Sequence, residues 1–326
     1  MKRSLELYNA KNYYAGFKAV EDVTLIAHSL GYIPFKLYGL RHPKNFIRYW
    51  YTFLHLMRIL IYVKSSDICL LQWPLYTPSD RFIFWGLKLK CRHLQLLVHD
   101  LSSVRNNENQ ILEMSYIRMA ELVIVHTKPM KKYLSNNGID SSKIKVLNTF
   151  DYLVEDDCPP RRKLTKEVVF AGNLSKSSFL KHLMNSPIRL SLLCYGEIDF
   201  VCKSPIVYKG LFEAGRVESI VGSWGLVWDG DSVDTCNGLL GNYLRMNSPH
   251  KVSMYIVARL PIIIWREAAL ANYILDNGLG LTIGGLAEIS DLLLGVSESD
   301  YHQLLLNIDD ERIKLIQGKH LIDCLS

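Results

Sequence analysis

The 326-residue chain has no C-x-x-C pair among its seven cysteines, which stand at 69, 91, 158, 194, 202, 236 and 324. That scatter argues against a zinc ribbon or a disulfide framework, and cysteines inside apolar runs fit buried thiols of the cytoplasm. No G-x-G-x-x-G follows the first strand-to-helix turn, which speaks against an NAD enzyme, and no G-x-x-x-x-G-K-[ST] marks a P-loop. The first residues, MKRSLELYNAKN, lack the apolar core of a signal peptide, so export is not expected. Long apolar runs are missing as well. Residues 53–63, FLHLMRILIYV, are interrupted by Arg58 and ended by Lys64. That run is well short of the roughly 20 residues needed to cross a bilayer, and a buried or interfacial helix is expected there. No internal repeat or low-complexity tract is found.

What is present fits a soluble globular protein: 49% apolar and 21% charged residues, in a chain long enough for two cores. Apolar runs of strand length alternate with helical spacing. In the first half the expected strands are 35–40, 67–73, 93–98, 122–125 and 144–147. The expected helices are 19–30, 45–63, 79–90, 111–120 and 128–136. A linker rich in charge and proline, 155–163 (EDDCPPRRK), marks a boundary. Strands then resume at 168–170, 190–194, 206–208, 226–228 and 260–265. Helices are expected at 179–184, 250–258, 267–277, 290–294, 300–306 and 310–325. Such alternation implies parallel strands with right-handed crossovers: an α/β protein of two Rossmann-like, doubly wound domains with a cleft between them. The expected division is 1–155, 156–309 and a terminal helix 310–326 that crosses back to the first domain.

Charge is uneven along the chain. Up to Glu155 there are 21 Lys and Arg against 12 Asp and Glu; the remainder has 17 against 20. A basic first half suits an anionic membrane surface or a phosphate-bearing acceptor, and equally a set of solvated helix faces. The basic residues are not clustered with aromatics on one motif, which makes nucleic acid the least favoured partner.

Residues 224–255 (WGLVWDGDSVDTCNGLLGNYLRMNSPHKVSMY) concentrate the chemistry. An apolar strand ends in Asp229-Gly230-Asp231, and a polar loop follows. Asn247-Ser248-Pro249-His250-Lys251 then opens an apolar helix, with Ser248 suited to the N-cap and Pro249 to the first helical position. A helix start beside His250 and Lys251 is a natural seat for a phosphate. Asp229 and Asp231 invite a metal, because paired carboxylates hold Mg²⁺ or Mn²⁺ on a diphosphate. Lys251 offers the same neutralisation without one, and the metal-free reading is favoured, with the acids fixing the loop or binding sugar hydroxyls. In open α/β sheets ligands collect beyond the carboxyl ends of strands. There lie Gly172-Asn173-Leu174-Ser175-Lys176, suited to a diphosphate, and Tyr195, which either stacks on a flat base or packs as core. Glu267, expected at a helix start, faces a donor sugar or favours the helix dipole. In the first half His99-Asp100 ends a strand, with Arg105 nearby. Asp100 is the preferred general base and His99 the competing one; alternatively Asp100 caps the next turn through Ser102 and Ser103. Gly16-Phe17-Lys18, a short glycine-bearing loop entering a helix, lets a ligand approach the backbone, or is a turn only.

The segments 15–19, 99–100, 150–154, 171–175, 225–235, 247–253 and 268–280 cover both halves. In these segments the chain resembles the bacterial galactofuranosyltransferases of O-antigen and exopolysaccharide assembly, of the β-1,6-galactofuranosyltransferase type. More distantly it resembles the glucosyltransferase acting third in serine-rich adhesin glycosylation. The resemblance implies a GT-B fold and a UDP-galactofuranose donor held mainly by the second domain, with no metal or other cofactor. It implies an inverting transfer to a saccharide or lipid-linked saccharide at the inner face of the cell membrane; a second copy of the chain is allowed. By the same resemblance Lys251 and Lys176 contact the UDP phosphates, Tyr195 lies near the uracil or ribose, and the Gly16-Phe17 loop faces the donor. The glucosyltransferase relative has arginine where this chain has Lys176, and lysine offers a point charge and not a bidentate fork. Two other readings remain open: the same fold with UDP-glucose or another hexopyranose donor, and a non-catalytic sugar-binding subunit.

Overall fold

A computed structural model describes residues 1–7, 15–40, 42–75, 77–154, 159, 162–213 and 215–326. It divides into two compact units: residues 1–147 with 321–326, and residues 148–320.

The first unit is a six-stranded, all-parallel sheet in the order β2-β1-β3-β4-β5-β6. Its strands are β1 (Lys2–Leu7), β2 (Ile33–Leu37), β3 (Ile68–Trp73), β4 (His93–Val98), β5 (Leu122–Val125) and β6 (Ile144–Val146). Its helices are α1 (Ala15–Ser29), α2 (Asn45–Tyr62), α3 (Pro78–Lys90), the short α4 (Ser102–Arg105), α5 (Gln110–Ile117) and α6 (Lys128–Asn136). Strand β5 (LVIV) is apolar throughout and β3 and β4 are largely so, because helices cover both faces of such a sheet. Thr77 and Asp80 form a capping box at the start of α3, with Pro78 in its first turn.

The second unit is also six-stranded and parallel, in the order β12-β11-β10-β7-β8-β9. Its strands are β7 (Glu167–Ala171), β8 (Ser191–Tyr195), β9 (Ile206–Gly210), β10 (Trp224–Val227), β11 (Ile262–Trp265) and β12 (Gly280–Ile283). Its helices are α7 (Phe179–Met184), α8 (Gly238–Tyr243), α9 (His250–Val257), α10 (Ala271–Asp276), α11 (Ile289–Leu294) and α12 (Glu298–Ile316). Helix α13 (Lys319–Leu325) follows, and its residues from Leu321 onward belong to the first unit, where Lys145 donates to the Cys324 carbonyl.

Four expectations shift. Strand β1 is absent from the sequence reading because KRSLEL offers only two leucines, yet it sits second in its sheet with Ser4 buried. The second unit begins at Asn148, before the linker: Thr149 and the Phe150 carbonyl already bond to Ser253, and the Tyr152 amide to the Leu315 carbonyl. The helix expected at 310–325 is split: its first part continues the helix expected at 300–306 as α12, with no glycine or proline to break it before Gly318 at φ +71°, and its second part is α13. Strand β12 lies where only the end of a helix was expected.

Glu311 in α12 is buried and accepts from Tyr273, from Lys314 at 2.9 Å and from His320 at 2.9 Å. Burial pushes its carboxyl up, but hydrogen bonds from His320, Tyr273 and Lys314 outweigh this and hold it at about 2, against 4.5 ordinarily. The folded value lies below the unfolded one, so the stabilisation is complete above about pH 4.5 and is lost as pH falls towards 2. Glu311→Gln should remove roughly 3 kcal/mol at neutral pH and flatten the acid limb of urea-unfolding curves over that range. An acid limb identical to that of the parent chain would contradict this.

Candidate functional site

In the second sheet the strand order reverses between β7 and β10, so a crevice is expected beyond the ends of those two strands. Gly172 and Asn173 follow β7, and Trp228 and Asp229 follow β10. The two loops are joined to each other. Ser178 donates to the Asp231 carboxylate and to the Gly230 carbonyl, the latter at 3.3 Å, and the Phe179 amide donates to the same carbonyl. Asn173 closes its own turn by accepting from the Lys176 amide at 3.1 Å. Behind them Tyr255 of α9 is buried and binds both strands: its hydroxyl accepts from the Ala171 amide at 2.9 Å and donates to the Leu226 carbonyl at 3.2 Å.

The same helix brings Lys251 to this place. Its ammonium lies 3.7 Å from the Asp229 carboxylate, 3.5 Å from the Trp228 carbonyl and 4.4 Å from the centre of the Phe170 ring. Asp231 is occupied with the loop itself: its carboxylate takes Ser178, its amide donates to Asn237, and its carbonyl meets His182. The helix starts one residue later than the Ser-Pro signal suggested. Pro249 is the cap and no side chain caps the first turn. Ser248 is therefore not an N-cap. It is 3% exposed, and its Oγ, like Asn247 Oδ1, has no hydrogen-bond partner among the described residues. An uncapped helix start, a buried unpaired hydroxyl and a lysine together form a donor set suited to a phosphate.

Other anticipated residues stand elsewhere. Lys176 is exposed on the turn after β7. His250 packs between Phe150 and Tyr152, with ring centroids at 5.6 and 4.9 Å. Tyr195 is 5% exposed, and its hydroxyl is engaged with the Val221 backbone, so it packs as core and not as a stacking face. Glu267 lies in the turn before α10, not at a helix start, and pairs with Arg245 at 2.7 Å. Gly196, just after β8, has φ +138°, and a Cβ there would fall 1.7 Å from the Gly172 carbonyl oxygen. Gly196→Ala should therefore cost about 3 kcal/mol or more in urea unfolding and displace the Gly172 turn. An unchanged unfolding midpoint would contradict this.

In the first unit Asp100 follows β4 and pairs with Arg105; both line a cavity with Pro74, Ser102 and Asn106. The amides of Ser102 and Ser103 go to Glu113, each at 2.9 Å, and Trp73 Nε1 donates to it at 3.0 Å. Glu113 thus caps α4 in place of Asp100, a role its spacing on an apolar helix gave no sign of. His99 is bonded to Gln72 at 2.6 Å, and burial lowers it to about 4, so it is neutral at pH 7. Gly16-Phe17-Lys18 is the first turn of α1 and not a loop; Lys18 is held by buried Asp22, and residues 8–14, just before the helix, lie outside the described ones.

Comparison with known proteins places both halves. Residues 5–149 match the N-terminal domain and residues 168–326 the C-terminal domain described as glucosyltransferase 3-like. The chain is 31% identical to the β-1,6-galactofuranosyltransferase WbbI of Escherichia coli K12, over 95% of this chain and 93% of that one. It is 24% identical to glucosyltransferase 3 of Streptococcus gordonii, over 98% and 96%. In structure it resembles Anabaena Alr3699/HepE, solved with UDP and glucose, at a TM-score of 0.61 and 8% identity, over 100% of this chain and 99% of that one. That likeness, with the two parallel sheets, shows the GT-B fold.

Proposed function

The chain belongs to the glucosyltransferase 3-like family of GT-B hexosyltransferases, and from that premise we propose that it transfers galactofuranose from UDP-galactofuranose to a saccharide hydroxyl. The acceptor in this reading is lipid-linked, and transfer takes place at the inner membrane face during surface-polysaccharide assembly. The observation that carries the donor side is Lys251 at the uncapped start of α9, beside the buried Ser248 hydroxyl. The galactofuranose preference rests on the 31% identity to the E. coli β-1,6-galactofuranosyltransferase.

The diphosphate of the donor is seated on Lys251 and the start of α9, and a positive charge there stabilises the UDP that leaves. Asp229 and Asp231 hold this seat and do not bind a metal; their pairing with Lys251 and Ser178 supports that role. The acceptor oxygen attacks the anomeric carbon as the bond to the β-phosphate oxygen breaks. Asp100 takes the hydroxyl proton, and an α-linked donor gives a β-linked product.

The test is donor screening with product mass and NMR anomeric assignment. UDP-galactofuranose should be used, in EDTA as well as with Mg²⁺, to give a β-furanoside. Turnover of UDP-glucose or UDP-galactopyranose alone would overturn the donor assignment, and activity abolished by EDTA would overturn the metal-free one.

A further inference from the structure

Helix α2 distributes its apolar side chains against the usual sense. Its inward stripe is Thr52, His55 and Ile59, two of the three polar. Outward stand Phe46 at 82% exposure, Ile61 at 66%, and Trp50 and Phe53 at 54%. Helix α3 does the same along one stripe, with Phe82, Trp85 and Leu89 exposed at i, i+3 and i+7. Apolar surface of this extent turned to water is unfavourable unless something covers it.

The two helices form one layer. They pack side by side, so closely that a Cβ on Gly86 would lie 2.5 Å from Leu56 Cδ2. The crossovers from β2 to β3 and from β3 to β4 run the same way along the sheet, which places both helices on one of its faces. The charge on this layer has one sign. Arg48, Arg58, Arg81, Lys88 and Lys90 face a single acid, Asp80, which is buried in the capping box. Lys44 and Lys64 flank α2. A two-fold contact with a second copy would set this positive face against itself, which disfavours self-association. No helix among the described residues is long and apolar enough to cross a membrane. Aromatic rings with basic neighbours are instead the composition of a surface that lies in the headgroup layer.

We propose that the outer face of α2 and α3 docks the protein on an anionic lipid bilayer. Trp50, Phe53 and Trp85 enter the headgroup layer, while Lys44, Lys88 and Lys90 meet lipid phosphates. The purpose of this docking rests on the lipid-linked acceptor proposed above.

The full chain should co-sediment with vesicles of equal parts phosphatidylcholine and phosphatidylglycerol, and far less with phosphatidylcholine alone. High salt should weaken binding about tenfold or more. Lys88→Gln with Lys90→Gln should weaken it about fivefold per charge, and Trp50→Ser with Phe53→Ser and Trp85→Ser should abolish pelleting and the blue shift of tryptophan emission. A parent chain that stays in the supernatant, or variants that pellet as it does, would overturn the proposal. So would an oligomer in sedimentation equilibrium that the aromatic variant dissolves, since a second copy would then cover the face. Transfer to a water-soluble saccharide acceptor separates the two readings. Lost vesicle binding with unchanged transfer supports docking through this face, whereas absent transfer with intact, face-dependent binding rejects the donor reading and leaves docking standing.

Discussion

Lys251→Ala is expected to lower kcat/KM for the UDP-sugar by about 10²–10³, the scale for removing one pre-placed charge from a developing phosphate oxyanion. The fold should survive, because Lys251 lies at the first turn of α9 while Tyr255 and the apolar side of that helix hold the core. Thermal protection by UDP should shrink with it, since a ligand stabilises only as far as it binds the folded state. Lys251→Arg should recover little: the ammonium sits between the Phe170 ring and the Trp228 carbonyl, where a planar fork has a different shape to satisfy. Full protection by UDP in the alanine variant would remove Lys251 from the seat.

Asp100→Asn is expected to reduce kcat by about 10³ while UDP protection stays as in the parent, because it keeps the shape and removes the proton acceptor. His99→Gln should change kcat by less than about tenfold. Burial has lowered that imidazole to about 4, which makes it a weak base, and its Nε2 is held by Gln72. The reverse ranking, with His99→Gln the more damaging, would move the base to His99. Neither substitution touches Glu113, so the turn that presents Asp100 stays capped in both.

Strands β4 and β5 and helix α6 have the bounds that the apolar runs and turn residues indicate, since buried parallel strands are largely apolar. Lys251 was legible too, as a basic residue just inside a helix after a strand ending in acids. What was hidden depends on contacts distant in sequence. Ser248 beside Pro249 looks like a cap, but the chain stays extended through Pro249 and the hydroxyl is left buried. Glu113 looks like an ordinary helix residue until the Ser102 and Ser103 amides fold against it. Tyr195 ends a strand, as a ligand-stacking residue would, and only its bonds to Val221 show that it packs inward. Periodicity records which face is buried; it does not record which polar atom another segment will claim.

Tyr255 has one more consequence. It stands four residues after Lys251, on the same side of the helix and one turn further along, and its hydroxyl is pinned to β7 and β10. That pin sets the rotational phase of α9 about its own axis, and so the bearing of the ammonium one turn back. Gly225 makes room for it, since a Cβ there would fall 2.4 Å from the Tyr255 ring. The aim of the lysine is thus calibrated by a phenol in the interior.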